Sequence, residues 1–173
     1  MNFQLDEAIA VLERTPSVVS SLLRGLPANW IISTEGPNTW SPYDIIGHLI
    51  YGEKTDWIPR TQIILERENK QFEPFNRFAQ FEESRGKTIE DLLKEFEYLR
   101  TNNLNTLKHF SLTEADLSKT GIHPAFGTVT LAQLLATWVA HDLDHLAQLS
   151  RVMAKQYLEE VGPWKEYLRL LQS

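Results

Sequence analysis

His141 and His145 stand four residues apart in Trp138-Val139-Ala140-His141-Asp142-Leu143-Asp144-His145-Leu146-Ala147-Gln148. Four residues of α-helix turn through about 400° and rise about 6 Å, so both imidazoles leave nearly the same side and can reach one metal ion. Leu131, Leu134, Trp138, His141, His145, Gln148 and Val152 recur at alternating three- and four-residue steps, the pattern of a buried helix seam, and the two histidines interrupt it. Two histidines make neither a closed nor a catalytic site, so at least one more ligand must come from elsewhere in the chain. The sequence has no cysteine. Disulfides, thiolate ligands and a cysteine nucleophile are thereby excluded, and a metal would be held by histidine, carboxylate and water.

The third ligand is found on another helix. Ser41-Pro42 opens it, with serine as N-cap, proline at the first helical position and Asp44 in the favoured acidic first turn. His48 lies one turn further in, at the edge of the apolar face made by Ile45, Ile46, Leu49 and Ile50, which makes it the natural partner of the pair. Gly52, a turn beyond, costs about 1 kcal/mol relative to alanine and is expected to clear space beside the histidine. Asp44 precedes His48 by one turn, and Asp142 and Asp144 flank the pair, so each could orient an imidazole or accept a proton, Asp44 and Asp144 projecting closer than Asp142. Each could equally be a helix cap or a solvated charge. Tyr51, Arg100, His123 and Gln148 are candidate substrate contacts; His123 precedes a proline in a loop, where surface roles are common. His109, ending the third helix, is most simply a favourable C-terminal charge.

The elements that must position these residues are helical. Leu5, Ile9, Leu12, Val19, Leu22 and Leu26 share one face, interrupted by Thr15-Pro16, which predicts a kink or a restart, with Gly25 and Pro27 as the end. Residues 28–40 read as a loop packed down by two tryptophans. Pro59 should kink or interrupt the second helix before it continues through Ile63, Ile64 and Leu65. Over residues 70–87 the periodicity degrades, but Phe72, Phe75, Phe78 and Phe81 recur every third residue; they are expected to cap the core, a substrate lid being the rival reading. Thr88 starts a third helix with Ile89, Leu92, Phe96, Leu99, Leu104 and Leu107 as its stripe. Thr113 is positioned to cap a short turn, residues 121–127 read as a loop, and Thr130 with Gln133 makes a capping-box pattern for the fourth helix. A final turn from Gly162-Pro163 offers Trp164, Tyr167, Leu168 and Leu171 for docking back. Four substantial helices without a convincing alternating strand pattern give an all-α bundle.

At 173 residues and 42% hydrophobic, the chain suits a single domain, residues 1–173, with one sizeable core. Lysine and arginine total 17 against 23 acidic residues, a net charge of -6, and no basic stripe is available for phosphates, so nucleic acid is not an expected partner. No apolar run approaches the roughly 18 to 20 residues that span a bilayer, and Asp6, Glu7 and Glu13 stand where a signal peptide would be basic and then apolar. No membrane association and a cytoplasmic location are expected. A homodimer is open to a bundle of this kind, although no surface stripe compels one.

With His48 following a tryptophan-serine-proline helix start and His-x-x-x-His on the fourth helix, the sequence resembles the DinB superfamily of metal-binding four-helix bundles. The likeness runs from Thr15-Pro16 through Trp40-Ser41-Pro42 and Gly47-His48-Leu49 to His123-Pro124, Gly127 and His141 to Gln148, and the two histidine segments are its most specific part. It implies an up-down-down-up four-helix bundle with a short extra C-terminal helix. It also implies a divalent ion, zinc or nickel, held by His48, His141 and His145. Relatives include transferases that use low-molecular-weight thiols and a thiol-dependent isomerase, so a thiol cofactor and a small-molecule substrate are implied; the family name reflects induction by DNA damage and carries no evidence of DNA binding.

Three neutral imidazoles leave a metal with open positions, as catalytic zinc sites do, and such an ion can bring the pKa of bound water or thiol near neutrality. The plainer reading makes His141 and His145 hydrogen-bonded core residues, but burying three unpaired polar rings would be costly. The Irving–Williams order allows an isolated sample to carry nickel or copper in place of its cellular metal. The expectation is therefore a metal-dependent enzyme, a thiol S-transferase or a hydrolase. Its rivals are a non-catalytic binding module stapled by the ion and a helical interaction domain without metal.

Overall fold

Pro16 cannot extend a helix begun earlier, because it lacks an N–H and its ring crowds the carbonyl one turn back. In the computed structural model, which describes residues 2–172, the first helix accordingly ends and restarts: α1 runs Leu5–Leu12 and α2 Thr15–Leu23, with Pro16 in the first turn of α2. Gly25, at φ +76°, turns the chain away. A short helix, α3 (Ala28–Ile32), occupies part of the segment expected to be loop. Ser41 caps α4 (Pro42–Thr55), and α5 (Trp57–Glu66) continues it after a break at Asp56. The break falls before Pro59 rather than at it, since the proline ring displaces the carbonyl four residues earlier, that of Thr55. After α6 (Ala79–Ser84), Thr88 caps α7 (Ile89–His109), Thr113 caps α8 (Glu114–Leu117) and Thr130 caps α9 (Leu131–Lys155). All four of these hydroxyl caps are reciprocal capping boxes, in which the cap side chain accepts the N3 amide and the N3 side chain accepts the cap amide.

Two apolar clusters reveal how the helices run. One gathers Ile9, Leu12, Trp57, Ile64, Leu104 and Leu135; the other gathers Val19, Leu23, Ile45, Leu92, Phe96 and Val152. The chain passes from the first to the second through α1–α2 and again through α9, and in the reverse sense through α4–α5 and α7. The fold is an up-down-down-up four-helix bundle.

Between the clusters lies a buried charged layer. Arg100, 1% exposed, spends all five of its N–H donors: on Glu53 Oε1 at 3.0 and 2.8 Å, on the Asp142 carboxylate at 2.6 and 3.0 Å, and on the Leu12 carbonyl at 2.8 Å. Its guanidinium is stacked between the Phe96 and Trp138 rings, and Trp138 Nε1 donates to Glu53 Oε1 at 3.1 Å. Every charge in the layer is paired, which is what makes its burial tolerable.

Four sequence expectations are corrected by this architecture. Residues 121–127 are largely a hairpin: β1 (Thr120–His123) pairs antiparallel with β2 (Gly127–Thr130), with His123 opposite Gly127. Its edge is bonded to the long connection, Phe72 N–H donating to the Ile122 carbonyl at 2.9 Å and Ile122 N–H to that of Lys70 at 2.8 Å. Any Cβ at Gly121 would stand 2.6 Å from the Phe72 ring, so glycine is what allows the hairpin to press so close. Of the four phenylalanines, Phe72 alone caps the core; Phe75 is half-buried, Phe81 is exposed and Phe78 is 75% exposed. At the C-terminus, Trp164 and Tyr167 remain exposed on a 3-10 turn, Gly162–Tyr167, while the following turn, Arg169–Leu171, lies against α9. A Cβ at Gly52 would meet only Trp57 Nε1, at an ordinary contact distance of 3.5 Å, so Gly52 clears no space for His48; the tight approach in α4 is Gly47, where a Cβ would meet Ser84 Oγ at 2.6 Å.

Candidate metal centre

His48 projects from the middle of α4, and His141 and His145 from successive turns of α9. Their three Nε2 atoms converge: His48 and His145 each bring Nε2 to that of His141, at 3.0 and 3.1 Å. Nitrogens bound tetrahedrally at about 2.0–2.1 Å stand about 3.3 Å apart, so the trio has the spacing of one metal's ligand set.

Hydrogen bonds behind two of the rings decide which nitrogen faces inward. Gln80 Oε1 lies 3.0 Å from His48 Nδ1, and Gln148 Oε1 lies 2.7 Å from His145 Nδ1. An amide oxygen only accepts, so Nδ1 carries the proton in both rings and Nε2 presents a lone pair to the shared point. One N–H on His141 Nε2 could serve only one of those lone pairs well, whereas a cation serves all three. His141 Nδ1 is itself buried without a hydrogen-bond partner among the described residues. That ring is held by packing, with the Trp57 ring edge-on at 5.2 Å and Trp57 stacked in turn on Trp138 at 5.5 Å.

Burial keeps the rings neutral. It pushes His48 down to about 4, helped by the nearby charges of His145 and Arg77 and opposed by the Gln80 hydrogen bond. It pushes His141 down to about 3, reinforced by His145, His48 and Arg100. His145 is lowered by burial as well, against the Gln148 hydrogen bond and the charges of Asp144 and Asp142. Neutral imidazole is the form that ligates a metal.

A cavity of ≈ 620 Å³ opens directly onto the three histidines. Trp40 and Phe75 form wall around His48, at ring separations of 4.9 and 5.3 Å, while His123 and Phe126 from the hairpin complete the mouth. Asp56 and Arg77 supply its charged lining. Asp56, set at the α4–α5 break, is paired with Arg60 at 2.9 Å, and burial raises its pKa to about 6 against the pull of that arginine.

The structure redistributes the other residues singled out in the sequence. Asp44 is spent on its own N-cap, accepting from Ser41 N and Oγ at 2.9 and 2.6 Å, and does not orient His48. Asp144 is exposed, and Asp142, next to His141, is turned away into the Arg100 layer. Arg100 is enclosed in the core with every donor used, so it is no substrate contact. Tyr51 stands behind Phe75 with its ring 5.0 Å away, outside the lining of the cavity. Gln148 holds His145, and His123 reaches the cavity mouth. His109 is exposed at the end of α7, where a ring nitrogen donates to the Asn105 carbonyl at 2.6 Å. Gln80, Trp40, Asp56, Phe75 and Arg77 were missed as site residues. A tryptophan before the cap and four spaced phenylalanines were the available signals; Gln80 and Arg77 gave none, since α6 and the turn before it bring them in only by folding back against α4.

The solved structure of YfiT from Bacillus subtilis, described as a probable metal-dependent hydrolase with an unusual four-helix bundle topology, is similar in fold. It superposes with a TM-score of 0.74 at 23% sequence identity, over 86% of each chain. Among curated proteins none matches significantly. The sequence profile of the DinB superfamily matches residues 11–149, a span that contains α4, α7 and α9 down to the histidine pair. On that match, the chain belongs to the DinB superfamily.

Proposed function

We propose that this protein is a metal-dependent enzyme acting on a small molecule, with His48, His141 and His145 as the ligands of one divalent ion, zinc or nickel. The observation that carries the reading is the convergence of three Nε2 atoms at 3.0–3.1 Å beneath an open cavity. An ion held by these three residues would supply Lewis acidity, lowering the pKa of a water or an external thiol toward neutrality. Gln80 and Gln148 fix the tautomers of two ligands, and the indole of Trp57 fixes the plane of the third. Asp56, with its pKa near 6 and its carboxylate in the cavity, is suited to accept the proton released by the nucleophile. Transfer from a thiol and hydrolysis both fit this arrangement; the fold shared with YfiT, described as a probable metal-dependent hydrolase, supports the second.

A purely structural ion would have no use for a cavity leading to it, which favours catalysis over a staple. The test is protein reconstituted with zinc, nickel, manganese or iron and screened with thiols plus electrophiles and with hydrolysable esters and amides. Turnover that disappears in His141→Ala supports the proposal. Stoichiometric metal with no turnover across the screen, together with a large loss of thermal stability on chelation, would assign the ion a stapling role instead.

A further inference from the structure

The mouth of the cavity is built more carefully than solvent access alone requires. Phe126 is 78% exposed at the hairpin tip, yet its ring is held face to face with His123 at 4.5 Å and 16°. The tip beneath it is ordered by His123 Nδ1, which accepts the backbone N–H groups of Ala125 and Phe126 at 3.1 and 3.3 Å. The hairpin in turn is bonded to the connection at Lys70 and Phe72, so the aromatic platform stands in a fixed place relative to Phe75. An exposed, preorganised apolar ring at a pocket rim is a surface for a flat ligand to cover.

Charge selects the rest of the ligand. Asp56 is neutralised by Arg60, which leaves Arg77 as the uncompensated charge of the lining. Arg77 is exposed, no carboxylate pairs with it among the described residues, and its charge is felt at His48. On a chain of net charge -6, a free guanidinium over the active cavity stands out as an anion receptor.

We infer that the substrate class is an anionic arene: a planar ring system lies on Phe126 and Phe75 while its carboxylate or similar anion is held by Arg77, and the reacting group points down to the three histidines. The inference deepens the proposed function and rests on the cavity over the histidines being the substrate site.

Binding of naphthoate, naphthylmethanol and cyclohexanecarboxylate to the metal-free, chelator-treated protein, followed by calorimetry, tests it. Naphthoate should bind about tenfold tighter than either the neutral arene or the non-aromatic acid, the scale of one charge-assisted contact or one stacking surface. Arg77→Gln should abolish the preference for naphthoate over the alcohol, and Phe126→Ala should weaken both arenes but not the non-aromatic acid. Both side chains are exposed, so neither change threatens the fold. Equal binding of the three probes, unchanged affinity in the variants, or no saturable binding at millimolar concentration would overturn the inference. With the ion absent from the assay, such a failure leaves the three-histidine reading standing, and a failure to bind metal leaves this result untouched.

Discussion

The three histidines differ in how they are held, and the difference is testable. Gln148 and Gln80 each accept a hydrogen bond from Nδ1–H, so replacing either with alanine frees the ring to turn and to change tautomer. Such partners of metal-binding histidines are commonly worth 10–100-fold in affinity, and a loss of about that size is expected for Gln148→Ala and for Gln80→Ala in a competition titration with a chromophoric chelator. Helical content should be unchanged. Acid stability provides a second residue-scale prediction. Unfolded histidines take up protons below about 6.5, while burial holds His48 neutral to about 4 and His141 to about 3. The unfolded state then binds more protons across that window, so the chelated protein has its full stability above pH 6.5 and loses it as pH falls toward 4 and below. Asp56, raised to about 6, works in the opposite sense, its contribution fading as pH rises through that value. Urea unfolding at pH 7, 5.5 and 4.5 should show the decline, and a shallower one in the His48→Ala, His141→Ala double variant; equal slopes would remove these rings as its cause. At this scale, His141 and His145 were legible because residue type and helical spacing alone bring them together, and His48 because it stands at the edge of another apolar helix face. Arg100 was not, because no pattern distinguishes a cation facing a pocket from one enclosed by Glu53 and Asp142.

Among the elements, the helix starts were the most legible feature. Ser41, Thr88, Thr113 and Thr130 are all observed caps, since the capping box is a local bargain between residues three apart. The break at Asp56 was displaced from Pro59, and the hairpin at 120–130 went unseen because its strands are only four residues long, too short for an alternating pattern, and their edge is secured by the distant Lys70 and Phe72. The charged layer joining α4, α7 and α9 was equally invisible, for it depends on three helices meeting. Arg100→Met should destabilise the bundle by about 3–5 kcal/mol, because Glu53 and Asp142 would be left buried without their counter-ion. Chemical denaturation measures this directly, and a cost below 1 kcal/mol would mean that the layer is hydrated or that its carboxyls are protonated.

For the whole molecule, the up-down-down-up arrangement brings α4 and α9 side by side, and the histidine cluster joins them beside the layer that separates the two apolar clusters. No helix among the described residues is long and apolar enough to cross a membrane. A ligand that binds only the folded state stabilises it by mass action, by about 4 kcal/mol at a thousand times its Kd. For a chain of this length that is roughly 8–16 °C in melting temperature. Zinc or nickel added to chelated protein should therefore raise the melting temperature substantially, and the rise should vanish when His141 is replaced by alanine. Metal stoichiometry by elemental analysis, after equilibration with zinc and removal of the excess, tests the central claim most directly. Near one ion per chain is predicted for the native protein and near none for the folded His48→Ala, His141→Ala variant; an equal metal content in the two, or none in either, would contradict it.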